Sequence, residues 1–170
     1  HTVALRGDGR VFAIGASPDG RCDTAAWHDV VDIACGVRHT AAVLSDGHCV
    51  ATGDNSRGQC AVGDWENVVM IACGEFHTAG VTADGRVLVA GNAGGEACRV
   101  EDLRDVISVA CLPEATVCVH ADGHMTVRGG DGMLAEAVAP IRDAVAVDGK
   151  EYRLAVLTVD RRVLFLPGTE

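Results

Sequence analysis

The sequence predicts an all-β fold assembled from repeated small sheets, and three observations indicate it. The 170-residue chain aligns with itself when it is shifted by 38 positions, and this register contains no insertion. Each repeat places an Asp-Gly pair between two short apolar runs, which is a strong signal for a β-hairpin. No stretch shows the periodicity of an amphipathic helix. A fixed period of this length, with three strands and a short fourth in each unit, is typical of β-propeller blades.

Each repeat begins with a hairpin. The first strand of each hairpin is apolar on both faces, as in Ala41-Ala42-Val43. A strand with one face in water would alternate apolar and polar residues, so we expect these strands to lie between neighbouring sheets. In the last copy Arg161 stands where the other turns have glycine. The hairpins cover residues 1–15, 39–53, 77–91, 115–129 and 153–167.

A loop follows each of the first hairpins (16–20, 54–58 and 92–95), and then comes a short stretch with a cysteine. A bulky apolar anchor such as Trp27 precedes a run rich in β-branched residues. The first of these runs ends in the small residues Ala34-Cys35-Gly36, which suit a crowded place such as an axis where several sheets converge. The runs cover 30–33, 68–71, 106–109 and 144–147.

The shared period predicts a single domain over residues 1–170, with about four and a half blades. The repeats are 1–38, 39–76, 77–114 and 115–152, followed by a half repeat at 153–170. The first hairpin has no β-branched strand before it, whereas the last hairpin has one, so we expect the two ends not to close a ring. The chain is then a fragment of a larger propeller, which we favour, an open arc, or part of an oligomer that self-associates through open blade edges.

Composition excludes several classes of partner. The formal net charge is −10 and no basic stripe exists, so the chain would repel a nucleic acid. No run of 18 apolar residues is present, so we expect no membrane-spanning segment and no membrane partner.

The eight cysteines are expected to act as small buried hydrophobic residues. Equivalent cysteines in successive repeats are too far apart for a disulfide, although pairing between the two columns remains open. No CxxC spacing supports a zinc site. Unpaired thiols favour a reducing, cytoplasmic location, with secretion as the alternative. One column holds Cys22, Cys60 and Cys98, the other Cys35, Cys73 and Cys111, and Cys49 and Cys118 stand alone.

The second repeat carries a family resemblance. It contains GxxHT at 36–40, an Asp-Gly hairpin at 46–47, GDNxxGQ at 53–59 and VVxIACG at 68–74. This unit resembles the regulator of chromosome condensation repeat in its short bacterial form, most closely over 36–91 and least over 130–170. The resemblance implies blades of a propeller that usually has seven. The architecture that the resemblance implies is similar to that of a secreted bacterial β-lactamase inhibitor protein with seven short blades.

Catalytic and metal sites receive no support from the sequence. His1, His39 and His77 recur once per repeat, which would place them on an arc rather than around one metal ion. We expect each to begin a strand and to bond a neighbouring backbone carbonyl. The segment 54–56 resembles the start of a calcium loop but lacks an acid at the twelfth position, so it predicts a turn. We therefore expect no enzyme activity, no metal and no cofactor.

Loops at the two ends of the strands differ in how well they are preserved between repeats. The Asp-Gly turns are nearly identical, whereas the tips of the GxxHT loops differ. Divergence on a uniform frame indicates a binding face, with neutral drift as the alternative. Aromatic and arginine side chains commonly dominate such faces. The predicted binding residues are Arg38, Arg57, Glu75, Phe76, Glu114, Glu151 and Tyr152.

The predicted function is a non-catalytic module that binds another protein through the face of the GxxHT loops. The family resemblance implies a second function, guanine-nucleotide exchange or regulation of a small GTPase. A third hypothesis is a repeat domain appended to an enzyme that lies outside this chain.

Overall fold

The computed structural model describes residues 1–92 and 95–167, and their backbone forms five separate antiparallel sheets. We call these sheets blades 1 to 5 in chain order. Blade 1 is a hairpin of two strands, and the other four blades have three strands each. The structure therefore confirms four complete propeller blades and a partial one. Parts of the predicted loop 92–95 and of the half repeat 153–170 lie outside the described residues.

Each complete blade takes its inner strand from the end of one repeat and its hairpin from the next. Blade 1 contains β1 (Thr2–Leu5) and β2 (Val11–Ile14), and blade 2 contains β3 (Val30–Cys35), β4 (His39–Leu44) and β5 (Cys49–Gly53). Blade 3 contains β6 (Val68–Cys73), β7 (His77–Thr82) and β8 (Val87–Gly91). Blade 4 contains β9 (Val106–Leu112), β10 (Ala115–His120) and β11 (Met125–Gly129), and blade 5 contains β12 (Ala144–Lys150), β13 (Arg153–Thr158) and β14 (Val163–Pro167).

The inner strands β3, β6, β9 and β12 line a central cavity of about 500 Å³. The small residues Cys35, Cys73 and Cys111 lie along this cavity, as the sequence predicts for the place where the sheets converge. Each inner strand also changes register near its first residues, where a β-bulge leaves one residue unpaired.

The middle strands β4, β7 and β10 are buried over almost their whole length. Their two faces pack on different neighbours, because residues on one face contact the preceding blade and residues on the other face contact the following one. Ala41 and Val43, for example, pack in one cluster with Val68 and Ile71 of blade 3. The core is therefore a series of layers between blades, as the doubly apolar pattern of these strands predicts.

Two expectations about local structure are wrong. The short fourth strand does not form in the described residues, because the cysteine stretches lie in turns and, for Cys98, in a 3₁₀ turn (Glu96–Cys98). A short helix, α1 (Met133–Val138), also forms in the fourth repeat. Its sequence MLAEAV is rich in good helix formers, and Leu134 and Val138, four positions apart, are both buried.

The eight cysteines are free thiols, of which Cys49, Cys111 and Cys118 are buried and the others partly buried. Burial raises the pKa of Cys49 and of Cys118 to about 12, so both thiols stay protonated at neutral pH. Within residues 1–92 and 95–167, no helix is long and apolar enough to cross a membrane.

Candidate protein-interaction face

The GxxHT loops and the loops after the third strands lie together at one end of the blades. The backbone N–H of Asp54 donates to the carbonyl of Arg38 at 2.9 Å, and Asn92 donates to Phe76 at the same distance. Gly130 and Glu114 repeat this bond in blade 4 at 2.9 Å. We call this end the loop face, comprising residues 36–38, 74–76, 112–114 and 150–152 with the adjoining 16–20, 54–58, 92, 95 and 130–132. The end that carries the Asp-Gly turns is the turn face.

A repeated polar contact joins neighbouring blades just below the loop face. Histidine Nε2 of one blade meets the threonine hydroxyl of the next in His1–Thr40 (2.8 Å), His39–Thr78 (2.8 Å) and His77–Thr116 (3.0 Å). Each threonine hydroxyl donates its one proton to a backbone carbonyl at 2.7 Å, so the histidine must donate from Nε2. The expectation that the histidines bond a backbone carbonyl directly is wrong, since a threonine of the next blade stands between them.

His39 and His77 are completely buried, and their Nδ1 atoms have no hydrogen-bond partner in the described part of the chain. Burial lowers the pKa of each imidazole to about 4, so both are neutral at physiological pH. They serve as structural donors that hold adjacent blades together. Among the described residues, no group of three or more His, Cys, Asp or Glu side chains could hold a metal ion.

A glycine leaves room for the buried imidazole. A Cβ on Gly74 would lie 2.8 Å from both Nδ1 and Cε1 of His77. Between blades 4 and 5, Leu112 stands in the column of this glycine, Ala115 in that of the histidine and Leu154 in that of the threonine, and all three are buried. At these three positions the junction between blades 4 and 5 is therefore apolar, whereas the other junctions carry the histidine–threonine contact there. Elsewhere in the same junction the backbone N–H of Val147 donates to the Ser108 hydroxyl at 3.1 Å.

Most of the predicted binding residues meet in one cavity on the loop face. This cavity has a volume of about 240 Å³, and Pro113 and Asn92 complete its lining. A second cavity of about 110 Å³ shares Glu75, Pro113 and Tyr152 with the first and extends past Glu151 towards the central axis. Arg38 is exposed and lines neither cavity. The predicted residues in the larger cavity are Arg57, Glu75, Phe76, Glu114 and Tyr152.

Two aromatic rings line the larger cavity, and a backbone hydrogen bond anchors the loop beside them. The Arg57 guanidinium lies over the Phe76 ring, 5.3 Å from its centroid, which is a cation–π contact. The Arg57 N–H donates to Oε1 of Gln59 at 2.9 Å, and Gln59 is fully buried. Tyr152 is 50% exposed and contributes the second ring. The loop that carries Arg57 is thus anchored, while its side chain is exposed to a partner.

The sequence-based prediction omitted Lys150, Pro113 and Asn92, which also line these cavities. Lys150 is the only lysine in the chain and stands where earlier repeats have Gly36 and Gly74. This departure from the repeat is a usable signal, because a charge stands where the first two repeats have glycine. Pro113 stands in the same divergent column as Glu75 and Glu151, so the comparison of repeats also points to it, whereas Asn92 occupies an ordinary loop position.

Comparison with known proteins supports the interpretation of the repeats. A family model described as "Regulator of chromosome condensation (RCC1) repeat" matches residues 30–59 and 68–94. No curated protein matches the chain.

Many solved structures share the fold, and three of them illustrate the likeness. Human WBSCR16 is 18% identical, with a TM-score of 0.75 over 97% of this chain and 58% of its own. Prp20p from Saccharomyces cerevisiae is 21% identical, with a TM-score of 0.63 over 75% of this chain and 42% of its own. The ectodomain of the receptor kinase CR4 from Physcomitrella patens is 15% identical, with a TM-score of 0.75 over 96% of this chain and 48% of its own.

The chain thus spans between 42% and 58% of the length of these structures. At such identities the likeness concerns the fold, which is that of a partial propeller. The family model adds that residues 30–59 and 68–94, about a third of the chain, match the regulator of chromosome condensation repeat.

Proposed function

We propose that the chain is a protein-binding module that holds its partner through the loop face and performs no chemistry itself. One observation carries the proposal: five of the seven predicted binding residues line a single cavity. They come from three different repeats. Neutral drift on exposed loops has no reason to collect a set of aromatic and charged side chains around one concavity.

The composition of the cavity suits a protein partner. Aromatic and arginine side chains supply most of the binding energy at protein interfaces, and Phe76, Tyr152 and Arg57 are of these kinds. Glu75 and Glu114 add carboxylates on the same wall, so a partner side chain can be held by both ring contacts and charge. The blades behind the loops are joined by buried contacts, which limits the ordering cost of binding.

The solved structures add support of a general kind. Prp20p is described by its binding to Gsp1p and histones, and yeast RCC1 (Prp20) by its complex with Kap60. These partners are proteins. We extend to this chain only the class of partner.

The proposal is tested by capture of a partner from an extract of the source organism, followed by measurement of its affinity. Phe76→Ala and Tyr152→Ala are each expected to raise the Kd about 10- to 30-fold, as loss of a buried anchor does. Val69→Ala is the matched control, because Val69 is 56% exposed at the opposite end of blade 3. If both ring variants bind as tightly as the control, the loop face is not the binding face.

A further inference from the structure

The larger cavity of the loop face combines aromatic rings and carboxylates in one concave surface. Phe76 and Tyr152 supply the rings, and Glu75 and Glu114 supply the carboxylates. The lining residues belong to loops of four consecutive blades, from blade 2 to blade 5. The face of an aromatic ring carries partial negative charge, so the rings and the carboxylates attract the same kind of group. This combination favours a cation.

The Arg57 side chain shows that a guanidinium fits against a ring of this cavity. It lies 5.3 Å from the centroid of Phe76, within the distance of about 6 Å over which a cation is attracted to a ring. The second ring, Tyr152, is 50% exposed, and no cation of the described residues lies over it. Tyr152 is therefore the ring that is open to a cation from a partner.

The carboxylates beside these rings have no counter-ion within the described part of the chain. Asp19, also on the loop face, pairs with Arg21. In contrast, neither Glu75 nor Glu114 forms an ion pair with another described residue. Arg57 is the one cation that lines this cavity, against two carboxylates. A second positive charge would therefore neutralise the cavity.

The two cavities of the loop face meet at a place where a ring and a carboxylate stand together. Glu75, Pro113 and Tyr152 line both cavities. An arginine side chain has an apolar stem, which suits Pro113, and a charged planar end, which suits the ring and the carboxylate. The cavity thus offers contacts to both parts of one long basic side chain.

We infer that the loop face binds its partner through an arginine side chain, whose guanidinium lies between the Tyr152 ring and the carboxylates of Glu75 and Glu114. The inference rests on the proposed function, since it names the kind of segment that the loop face takes from its partner protein. That segment is basic. An acidic segment would meet both carboxylates on a chain of net charge −10, and like charges across an interface oppose binding.

The probe is a blocked peptide of three Arg-Gly-Gly units, with two matched peptides in which every arginine is replaced by citrulline or by glutamate. Citrulline keeps the shape of the arginine side chain and removes its charge. NMR titration of the isotope-labelled chain shows which residues respond to each peptide and gives the Kd. The arginine peptide is expected to bind at least about 5-fold more tightly than the citrulline peptide, with shifts at residues 74–76, 112–114 and 150–152.

Variants separate recognition in the cavity from general attraction to an acidic chain. Tyr152→Leu removes the ring without changing the charge, and it is expected to raise the Kd of the arginine peptide about 3- to 5-fold. Tyr152→Phe restores the ring and should bind more tightly than Tyr152→Leu. Glu75→Gln is expected to raise the Kd about 3-fold. Glu66→Gln is the matched control, because Glu66 is exposed near the Asp-Gly turn at 46–47, on the turn face.

Two results overturn the inference. In the first, the arginine and citrulline peptides bind equally. In the second, Tyr152→Leu and Glu75→Gln weaken the arginine peptide no more than Glu66→Gln does, which shows attraction to the net charge alone. Thermal unfolding of each variant establishes that it is folded.

The captured partner distinguishes this inference from the proposed function. If Phe76→Ala and Tyr152→Ala weaken the partner while the arginine peptide shows no preference over citrulline, the loop face is the binding face and the arginine inference alone is wrong. If the arginine peptide behaves as expected while both alanine variants hold the partner normally, the cation site stands and the proposed function is wrong.

Discussion

Thr78→Val tests the polar contact between blades most sharply, because it removes one hydroxyl and keeps the shape of the side chain. Thr78 is fully buried and accepts from His39 Nε2 at 2.8 Å while donating to the Gln59 carbonyl at 2.7 Å. The substitution leaves both groups buried without a partner. Each such loss costs about 1–3 kcal/mol, so we expect the free energy of unfolding to fall by about 3 kcal/mol. For a chain of this size the melting temperature then drops by roughly 6–12 °C.

Thr2→Val provides the control, since it is the same substitution in the same column of the repeat. Thr2 is exposed at the start of the chain, so its loss is expected to change the free energy of unfolding by less than about 0.5 kcal/mol. Urea and thermal unfolding at pH 7 measure both variants. If Thr78→Val costs no more than Thr2→Val, the histidine–threonine contact does not hold the blades together.

Two further predictions concern the buried histidines. Gly74→Ala is expected to lower the free energy of unfolding by about 1–3 kcal/mol, because the added methyl group meets the His77 ring. The same substitution should cost clearly less in a chain that also carries His77→Ala. Equal costs with and without His77→Ala would show that the ring is not the obstacle. The pKa of His39 and of His77 is about 4 in the folded chain against about 6.5 when unfolded, so acidification protonates the unfolded chain first and stability falls from pH 6.5 to pH 4. Melting temperatures over that range should fall less steeply for His77→Gln than for the wild type, and an unchanged slope would contradict the assignment.

Much of the fold follows from the repeat itself. The Asp-Gly pairs locate the hairpins, and the doubly apolar run Ala41-Ala42-Val43 indicates a strand packed between two sheets, as β4 is. These features are visible in sequence because they depend on local turn chemistry and on burial pattern. The small residues at the inner strand ends likewise predict their place beside the central cavity.

Other features depend on contacts between repeats that local patterns do not reveal. The histidine column recurs with the threonine that follows it, but only the stacking of blades shows that His39 reaches Thr78 rather than a carbonyl. Helix α1 was missed because its apolar pair, Leu134 and Val138, is too short to show a period. In the fourth repeat, α1 takes the place of the loop found in the other repeats, because residues 133–138 are good helix formers.

The candidate site was partly predictable for the same reason. Disagreement between aligned repeats picks out Phe76, Glu114 and Tyr152, because the frame around them is constant. Which of these side chains share a cavity depends on how far each loop lies from the central axis of the propeller. Arg38, equally divergent, lines neither cavity, whereas Lys150 lines the smaller one.

The proposed role of the loop face is tested most directly by hydrogen–deuterium exchange on the chain with and without its captured partner. Binding is expected to slow exchange at residues 74–76, 112–114 and 150–152, on the loop face, and to leave the Asp-Gly turns at 46–47, 84–85 and 122–123 unchanged. Protection of the turns, with the loop face exchanging as in the free chain, would contradict the proposal.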